Sequence, residues 1–104
     1  MQTWLNGSIP QEIGRLKLLR QLALYSNNLD GPIPSSFGNF TNLVSLYLYE
    51  NKLSGSLPQE LGNLPNLAEA YFDSNHLTGP IPSTFENLKN LTLLKLSNNT
   101  LYFS

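Results

Sequence analysis

The sequence has no cysteine among its 104 residues, which excludes disulfides, thiolate metal ligands and a thiol nucleophile. Charged residues make up 12%, about half the usual share, and there is a single histidine. With six Lys or Arg and a net charge of −1, the chain lacks the basic surface that binds nucleic acid or an anionic membrane. No apolar run approaches the ~18–20 residues that span a bilayer.

Leucine and asparagine are abundant instead, and they recur at a fixed interval of 24 residues. Rows that begin at Leu19, Leu43, Leu67 and Leu91 read LRQLALYSNNL, LVSLYLYENKL, LAEAYFDSNHL and LTLLKLSNNTL. All four follow the pattern L-x-x-L-x-L-x-x-N-x-L, with Ala70 and Phe72 as the only internal substitutions. Four similar segments, GSIP, GPIP, GSLP and GPIP, repeat with the same interval from Gly7, Gly31, Gly55 and Gly79, and we call them the GxIP words. A fixed period of this kind is typical of stacked structural units.

Within each row, apolar residues alternate with other residues, as in Leu46-Tyr47-Leu48-Tyr49. This period of two predicts a short strand with one buried face. Because the rows are alike, their strands should lie side by side and parallel, joined by crossovers of about 20 residues. The segments PSSFGNF and PQELGNL begin with proline and carry glycine a turn later, where a short helical or 3₁₀ turn can end. The glycine of each GxIP word is expected to adopt positive φ.

The pattern resembles the plant-type 24-residue class of extracellular leucine-rich repeats over nearly the whole chain. The resemblance implies an α/β-type repeat fold, a right-handed solenoid with a short-stranded parallel sheet on its concave face and 3₁₀ or short helical turns on the other side. We expect one array over residues 1–104, divided into a partial repeat 1–18, repeats 19–42, 43–66 and 67–90, and a partial repeat 91–104.

Domains of this class usually carry cysteine-containing caps, which this sequence lacks. We therefore expect an interior piece of a longer array, or a truncated product. Its apolar column should be uncovered at Ile9 and Ile13 at one end, and at Leu94, Leu96 and Leu101 at the other. Uncovered ends of a repeat array favour self-association.

The asparagines of the pattern follow each predicted strand directly and are expected to point inward: Asn27, Asn51, Asn75 and Asn99. A side-chain amide both donates and accepts, so it can satisfy backbone groups in its own turn and in the neighbouring turn. These four residues therefore predict a structural ladder.

Alternation places four tyrosines on the solvent side of the predicted sheet: Tyr25, Tyr47, Tyr49 and Tyr71. Glu69, Asp73 and Lys95 lie beside them, and tyrosine is favoured at interfaces. Strand propensity alone would also explain the tyrosines. Glu50, Glu69 and Asp73 include two acids that could form a glycosidase pair, but an open sheet has no pocket to raise the pKa of one of them. We therefore expect no catalysis, no metal and no cofactor.

Four N-x-S/T sequons mark possible N-glycosylation sites: Asn6, Asn39, Asn90 and Asn98. Asn39 and Asn90 fall on the predicted outer crossover side, and the sequons favour a secretory origin. The N-terminus has neither the basic nor the apolar region of a signal peptide. The extracellular or cell-surface location implied by the resemblance would therefore need a targeting sequence outside this chain.

The resemblance implies a non-catalytic recognition module from the ectodomain of a receptor-like kinase or receptor-like protein. Its partner would be a peptide or protein ligand, or a co-receptor, with no nucleic acid and no membrane contact by this segment. Two alternatives stay open. One is an enzyme inhibitor resembling the polygalacturonase-inhibiting proteins, and the other is a structural repeat fragment with no partner of its own.

Overall fold

The computed structural model describes residues 5–103. Residues 1–4 and Ser104, which belong to the expected partial repeats 1–18 and 91–104, lie outside the described residues. The strands within this range are β1 (Asn6–Ser8), β2 (Gln21–Ala23), β3 (Asn28–Gly31), β4 (Ser45–Tyr47), β5 (Lys52–Gly55), β6 (Glu69–Tyr71), β7 (His76–Pro80), β8 (Leu93–Lys95) and β9 (Thr100–Tyr102). Short 3₁₀ turns lie between them at Gln11–Arg15, Ser35–Asn39, Gln59–Asn63 and Ser83–Asn87.

The strands form two parallel sheets. Sheet I has the order β2-β4-β6-β8, and sheet II has the order β1-β3-β5-β7-β9. In sheet I the pattern residues pair in register across neighbouring strands: Leu22, Leu46, Ala70 and Leu94. Strands one row apart are therefore adjacent and run in the same direction, as the 24-residue period predicts. This arrangement confirms the predicted fold class, a leucine-rich repeat solenoid with a short-stranded parallel sheet and 3₁₀ turns.

Sheet II is not predicted by the sequence. Its inner strands bury a single apolar residue each, such as Leu29, Leu53 or Leu77, so they show no alternation of period two. The glycines of the GxIP words lie in these strands and have φ between 74° and 85°, which confirms the expected positive φ. A residue without Cβ adopts this conformation without steric cost.

The core is a continuous apolar column between the two sheets and the 3₁₀ turns. Its central members are fully buried: Phe37, Phe40, Leu43, Leu46, Leu48, Leu53, Leu61 and Leu77. Ile13 and the last-row residues Leu94, Leu96 and Leu101 are only partly buried, as expected for the ends of the column. The expectation for Ile9 is wrong, because Ile9 is 6% exposed and packs in the same core cluster as the second row.

The glycines of the first three 3₁₀ turns have a different role from the expected one. Gly38 lies inside the turn Ser35–Asn39 rather than at its end. A Cβ at Gly38 would be 2.8 Å from the Cβ of Glu60 and 2.9 Å from the Glu60 carbonyl oxygen, both in the next turn. Gly14 and Gly62 show the same tight approach to the turn that follows them. Glycine is therefore required because consecutive turns stack too closely for a side chain.

The asparagine column joins each turn to the preceding row. Asn51 is buried, and its Oδ1 accepts a hydrogen bond of 3.1 Å from the Leu29 backbone N–H. Its Nδ2 donates to the carbonyl oxygens of Leu24 at 2.9 Å and of Leu48 at 3.1 Å. Bonds of the same kind are made by Asn27, Asn75 and Asn99. These side chains thereby satisfy irregular backbone groups at the end of each sheet I strand.

The residue before each ladder asparagine is in the left-handed region, although none of these residues is glycine. Their φ values lie between 56° and 59°: Ser26, Glu50, Ser74 and Asn98. This conformation costs a non-glycine residue roughly 1–2 kcal/mol. Backbone hydrogen bonds between rows, such as Ser26 N–H to the Tyr49 carbonyl at 3.0 Å, compensate for it.

Replacing Gly38 by alanine should lower the free energy of unfolding by about 1–3 kcal/mol, because the added methyl group overpacks the contact with Glu60. Chemical denaturation measures this change. Glu86→Ala is the matched control, because Glu86 occupies the same column but has no 3₁₀ turn stacked beyond it in residues 5–103. The control should change stability by less than about 0.5 kcal/mol. An unchanged Gly38→Ala variant would contradict the close-approach explanation.

Replacing Asn51 by alanine should destabilise the protein by about 2–4 kcal/mol, because buried backbone groups in two rows lose their partners together. The exposed Asn63→Ala variant serves as the control and should stay within about 0.5 kcal/mol of the wild type. Thermal or urea unfolding compares the two. Equal losses for both variants would show that the ladder does not contribute specifically to stability.

Candidate ligand-binding surface

Sheet I presents its outward side chains as columns that run across the strands. One column contains Gln21, Ser45, Glu69 and Leu93, and the next contains Ala23, Tyr47, Tyr71 and Lys95. A third column, Tyr25, Tyr49 and Asp73, lies just after the strands rather than inside them. Backbone pairing continues there, since Leu48 N–H donates to Tyr71 O at 2.9 Å and Glu50 N–H donates to Asp73 O at 3.1 Å. The three columns thus belong to one surface.

Four tyrosines on this surface form a contiguous group, the tyrosine cluster: Tyr25, Tyr47, Tyr49 and Tyr71. The rings of Tyr25 and Tyr49 are stacked, with centroids 4.7 Å apart and planes 6° apart. The rings of Tyr47 and Tyr71 are 4.8 Å apart at 39°. The two pairs meet through Tyr49 and Tyr71, whose centroids are 6.0 Å apart. Tyr25 is 44% exposed and the other three residues are half-buried, so the cluster is packed into the surface yet remains accessible.

Glu69 accepts hydrogen bonds from two of the tyrosine hydroxyls of the cluster. Its Oε1 accepts hydrogen bonds from the Tyr47 hydroxyl at 2.9 Å and from Ser45 Oγ at 3.2 Å. Its Oε2 accepts from the Tyr71 hydroxyl at 3.4 Å. Hydrogen bonds to a charged acceptor are stronger than neutral ones. Glu69 is therefore a positioning residue for two tyrosines on two adjacent strands.

The predicted set is completed by Lys95, the partner of Tyr71 on the neighbouring strand, and by Asp73, which follows Tyr71 in its own row. Lys95 Nζ lies 4.6 Å from the centroid of the Tyr71 ring, which is a cation–π geometry. Asp73 Oδ1 is buried, and the described residues provide it with no hydrogen-bond partner. The structure therefore brings together all seven residues that the sequence predicts for this face. Lys95 contacts an aromatic ring of the cluster, whereas Asp73 Oδ1 has no hydrogen-bond donor among the described residues.

The environment of the cluster raises the pKa of two of its hydroxyls. Partial burial is the main cause of the raised pKa of Tyr49, with further contributions from Tyr25 and Glu50. Partial burial is also the main cause of the raised pKa of Tyr71, followed by the charge of Glu69. Both hydroxyls stay protonated in the neutral range, so they remain available as donors.

Two polar contacts on this side were not anticipated from the sequence. Ser45 bonds to Glu69, and Ser26 Oγ donates to Glu50 Oε1 at 2.8 Å. Each pair is separated by 24 residues, so it joins the same position in neighbouring rows. The repeat period alone would have indicated both pairs, since in-register strands bring such residues side by side.

The four sequon asparagines are exposed. Asn39 ends a 3₁₀ turn, away from sheet I. The Nδ2 of Asn90 donates to the Pro65 carbonyl oxygen at 3.2 Å, and the Nδ2 of Asn98 donates to Ser74 Oγ at 3.3 Å. Asn6 lies in β1 of sheet II. No sequon asparagine is therefore part of the tyrosine cluster.

Three segments of the chain match the family described as Leucine Rich Repeat, at residues 18–40, 42–64 and 66–88. Together they cover more than half of the sequence. The chain belongs to the leucine-rich repeat family. No curated protein sequence matches this leucine-rich repeat chain, whereas many solved structures do.

Several of these structures are ectodomains of plant receptors. The plant peptide hormone receptor RGFR1, in complex with RGF2, is 46% identical over 94% of this chain and 16% of its own, with a TM-score of 0.92. The Arabidopsis receptor kinase HAESA, in complex with the peptide hormone IDA and the co-receptor SERK1, is 42% identical over 91% of this chain and 16% of its own, with a TM-score of 0.88. This leucine-rich repeat chain thus spans less than a fifth of either receptor chain.

A plant ice-binding protein is similar to the same degree, at 44% identity over 93% of this chain and 31% of its own, with a TM-score of 0.89. One repeat type therefore serves proteins of different function, and the surface residues must decide between them. Residues 5–103 include no helix with the length and apolar character needed to cross a bilayer.

The raised pKa values of Tyr49 and Tyr71 predict a loss of stability at high pH. The folded protein keeps these protons to higher pH than the unfolded chain does, so the free energy of unfolding should fall as pH rises above about 10. Urea denaturation over the alkaline range measures the slope. The double variant Tyr49→Phe/Tyr71→Phe should show a shallower fall. Identical slopes in the wild type and the double variant would refute this prediction.

Proposed function

We propose that this chain is a non-catalytic recognition module that binds an extended peptide, or a protein such as a co-receptor, on the outward face of sheet I. The supporting observation is the tyrosine cluster, which crosses three adjacent strands and is held from one side by Glu69. The proposed contacts are Tyr25, Tyr47, Tyr49, Glu69, Tyr71, Asp73 and Lys95.

The chemistry of the cluster suits this role. Tyrosine offers a large apolar area and a hydroxyl while losing little rotamer entropy on binding. In this surface much of that entropy is already lost, because ring stacking and the bonds to Glu69 order the side chains in advance of binding. Preorganisation of this kind increases affinity by reducing the entropic cost of association.

The similar receptor structures support the proposal. RGFR1 and HAESA are bound to the peptides RGF2 and IDA, and HAESA also to the co-receptor SERK1. We extend the proposal to a plant cell-surface setting in which the module belongs to a receptor-like protein and a glycan on Asn39 would leave sheet I free. Inhibition of a secreted hydrolase is the second candidate, because it would use the same exposed face.

The test combines selection with variants. A phage-displayed library of short linear peptides is selected against the wild-type chain, and the SERK1 ectodomain and a secreted polygalacturonase are tested separately by surface plasmon resonance. The double variant Tyr47→Ala/Tyr71→Ala should weaken binding of the selected probes about tenfold or more, since buried tyrosines dominate interface energy. Tyr102→Ala, an exposed tyrosine of sheet II, should leave binding unchanged.

The outcomes separate the candidates. Binding of peptides or of the SERK1 ectodomain that depends on the tyrosine cluster supports the receptor-like role. Binding and inhibition of the polygalacturonase alone would favour the inhibitor. Binding that is equally strong in the double variant and the wild type would contradict recognition by this face, provided that circular dichroism shows both proteins folded.

A further inference from the structure

The third column of the surface has a distinct character, because an aromatic pair adjoins two acids there. Tyr25 stacks on Tyr49, Asp73 follows Tyr49 in the column, and Glu50 follows Tyr49 in the chain. Lys95, a basic residue of the surface, lies in the middle column against Tyr71. The corner formed by Tyr25, Tyr49, Glu50 and Asp73, which we call the acidic corner, therefore carries negative charge beside one exposed and one half-buried aromatic ring.

The carboxylates of the surface differ in how far their hydrogen-bonding capacity is used. Glu69 accepts three hydroxyl hydrogen bonds, and Glu50 accepts one from Ser26. Asp73 Oδ1 is buried without a partner among the described residues. The Asp73 side chain as a whole is only half-buried, and the hydrogen bonds among the described residues include none to either of its carboxylate oxygens. The exposed part of this carboxylate therefore keeps its full capacity to accept a hydrogen bond from a ligand. Asp73 is therefore the acid of this face that is best placed to gain from binding.

We propose, on the basis of the recognition function above, that the acidic corner receives an arginine side chain of the bound peptide. The guanidinium group lies against the Tyr49 ring and donates to the Asp73 carboxylate, with Glu50 adding to the attraction. Arginine fits better than lysine because its planar group both stacks on aromatic rings and presents paired donors to a carboxylate. The contact of Lys95 with Tyr71 is an internal example of a cation on this cluster.

A pair of matched peptides tests the inference. One is acetyl-Gly-Ser-Arg-Ser-Gly-amide, and the other carries citrulline in place of arginine, which keeps the shape and removes the charge. Each is titrated into the isotope-labelled full chain while backbone amide shifts are followed by NMR. The arginine peptide should shift amides around Tyr49 and Asp73 and bind roughly five- to tenfold more tightly than the citrulline peptide, as expected for one charge-assisted contact.

Two variants assign the charge to its residue. Asp73→Asn keeps the size of the side chain and should remove most of the preference for arginine over citrulline. Glu12→Gln, an exposed acid on the first 3₁₀ turn, should keep the full preference. High salt should also reduce the preference, because it screens exposed charges.

The inference is overturned if the two peptides bind wild-type protein equally, if neither binds, or if the shifted amides lie outside the acidic corner. Because the citrulline comparison uses only the wild-type chain, a folding defect in Asp73→Asn cannot obscure the result. Library peptides that bind through Tyr47 and Tyr71 but lack arginine and tolerate Asp73→Asn would also overturn it. Those peptides would leave the recognition function intact, so the two proposals fail in different ways.

Discussion

Lateral bonding between successive turns is the interaction on which this structure depends. The strands are three to five residues long, too short to persist alone, and their partners lie one row away in the chain. Asn51 ties the end of one row to Leu24 and Leu29 of the row before it, and Gly38 lets the 3₁₀ turns approach closely enough for the strands to pair. Each turn is therefore stable only because its neighbours are present.

Because of the same lateral bonding, the exposed face of sheet I is built from side chains of several rows that contact one another. Tyr47 and Tyr71 belong to different rows, and Glu69 orients both of their hydroxyls. Tyr25 and Tyr49 come from different rows as well, yet their rings stack as one unit. A ligand on this face would meet side chains from several rows, so both its affinity and its specificity would depend on how well the rows hold their register.

The repeat also separates fold from function. Structures similar to this chain include peptide hormone receptors and an ice-binding protein, all with nearly the same backbone. Inward positions are set by packing, so they carry little information about the partner. The outward positions of sheet I are not constrained by core packing. In this chain they combine four tyrosines with acidic residues that differ in the number of hydrogen bonds they accept. That combination is the feature of the molecule that points to a ligand.

The sequence by itself determined the period, the direction of the strands and the face on which each tyrosine lies, because alternation marks the inward side chains and a constant period marks each column. The inward asparagines and the positive φ of the GxIP glycines followed from residue chemistry. Only the tertiary structure decided the distances between rows. Sheet II, the burial of Ile9 and the close approach at Gly38 depend on how tightly neighbouring turns pack, which no pattern along one row records. Local patterns along the chain determine which face each side chain lies on. The distances between rows depend on contacts between residues far apart in the sequence, and the geometry of the tyrosine cluster and of Asp73 depends on those distances.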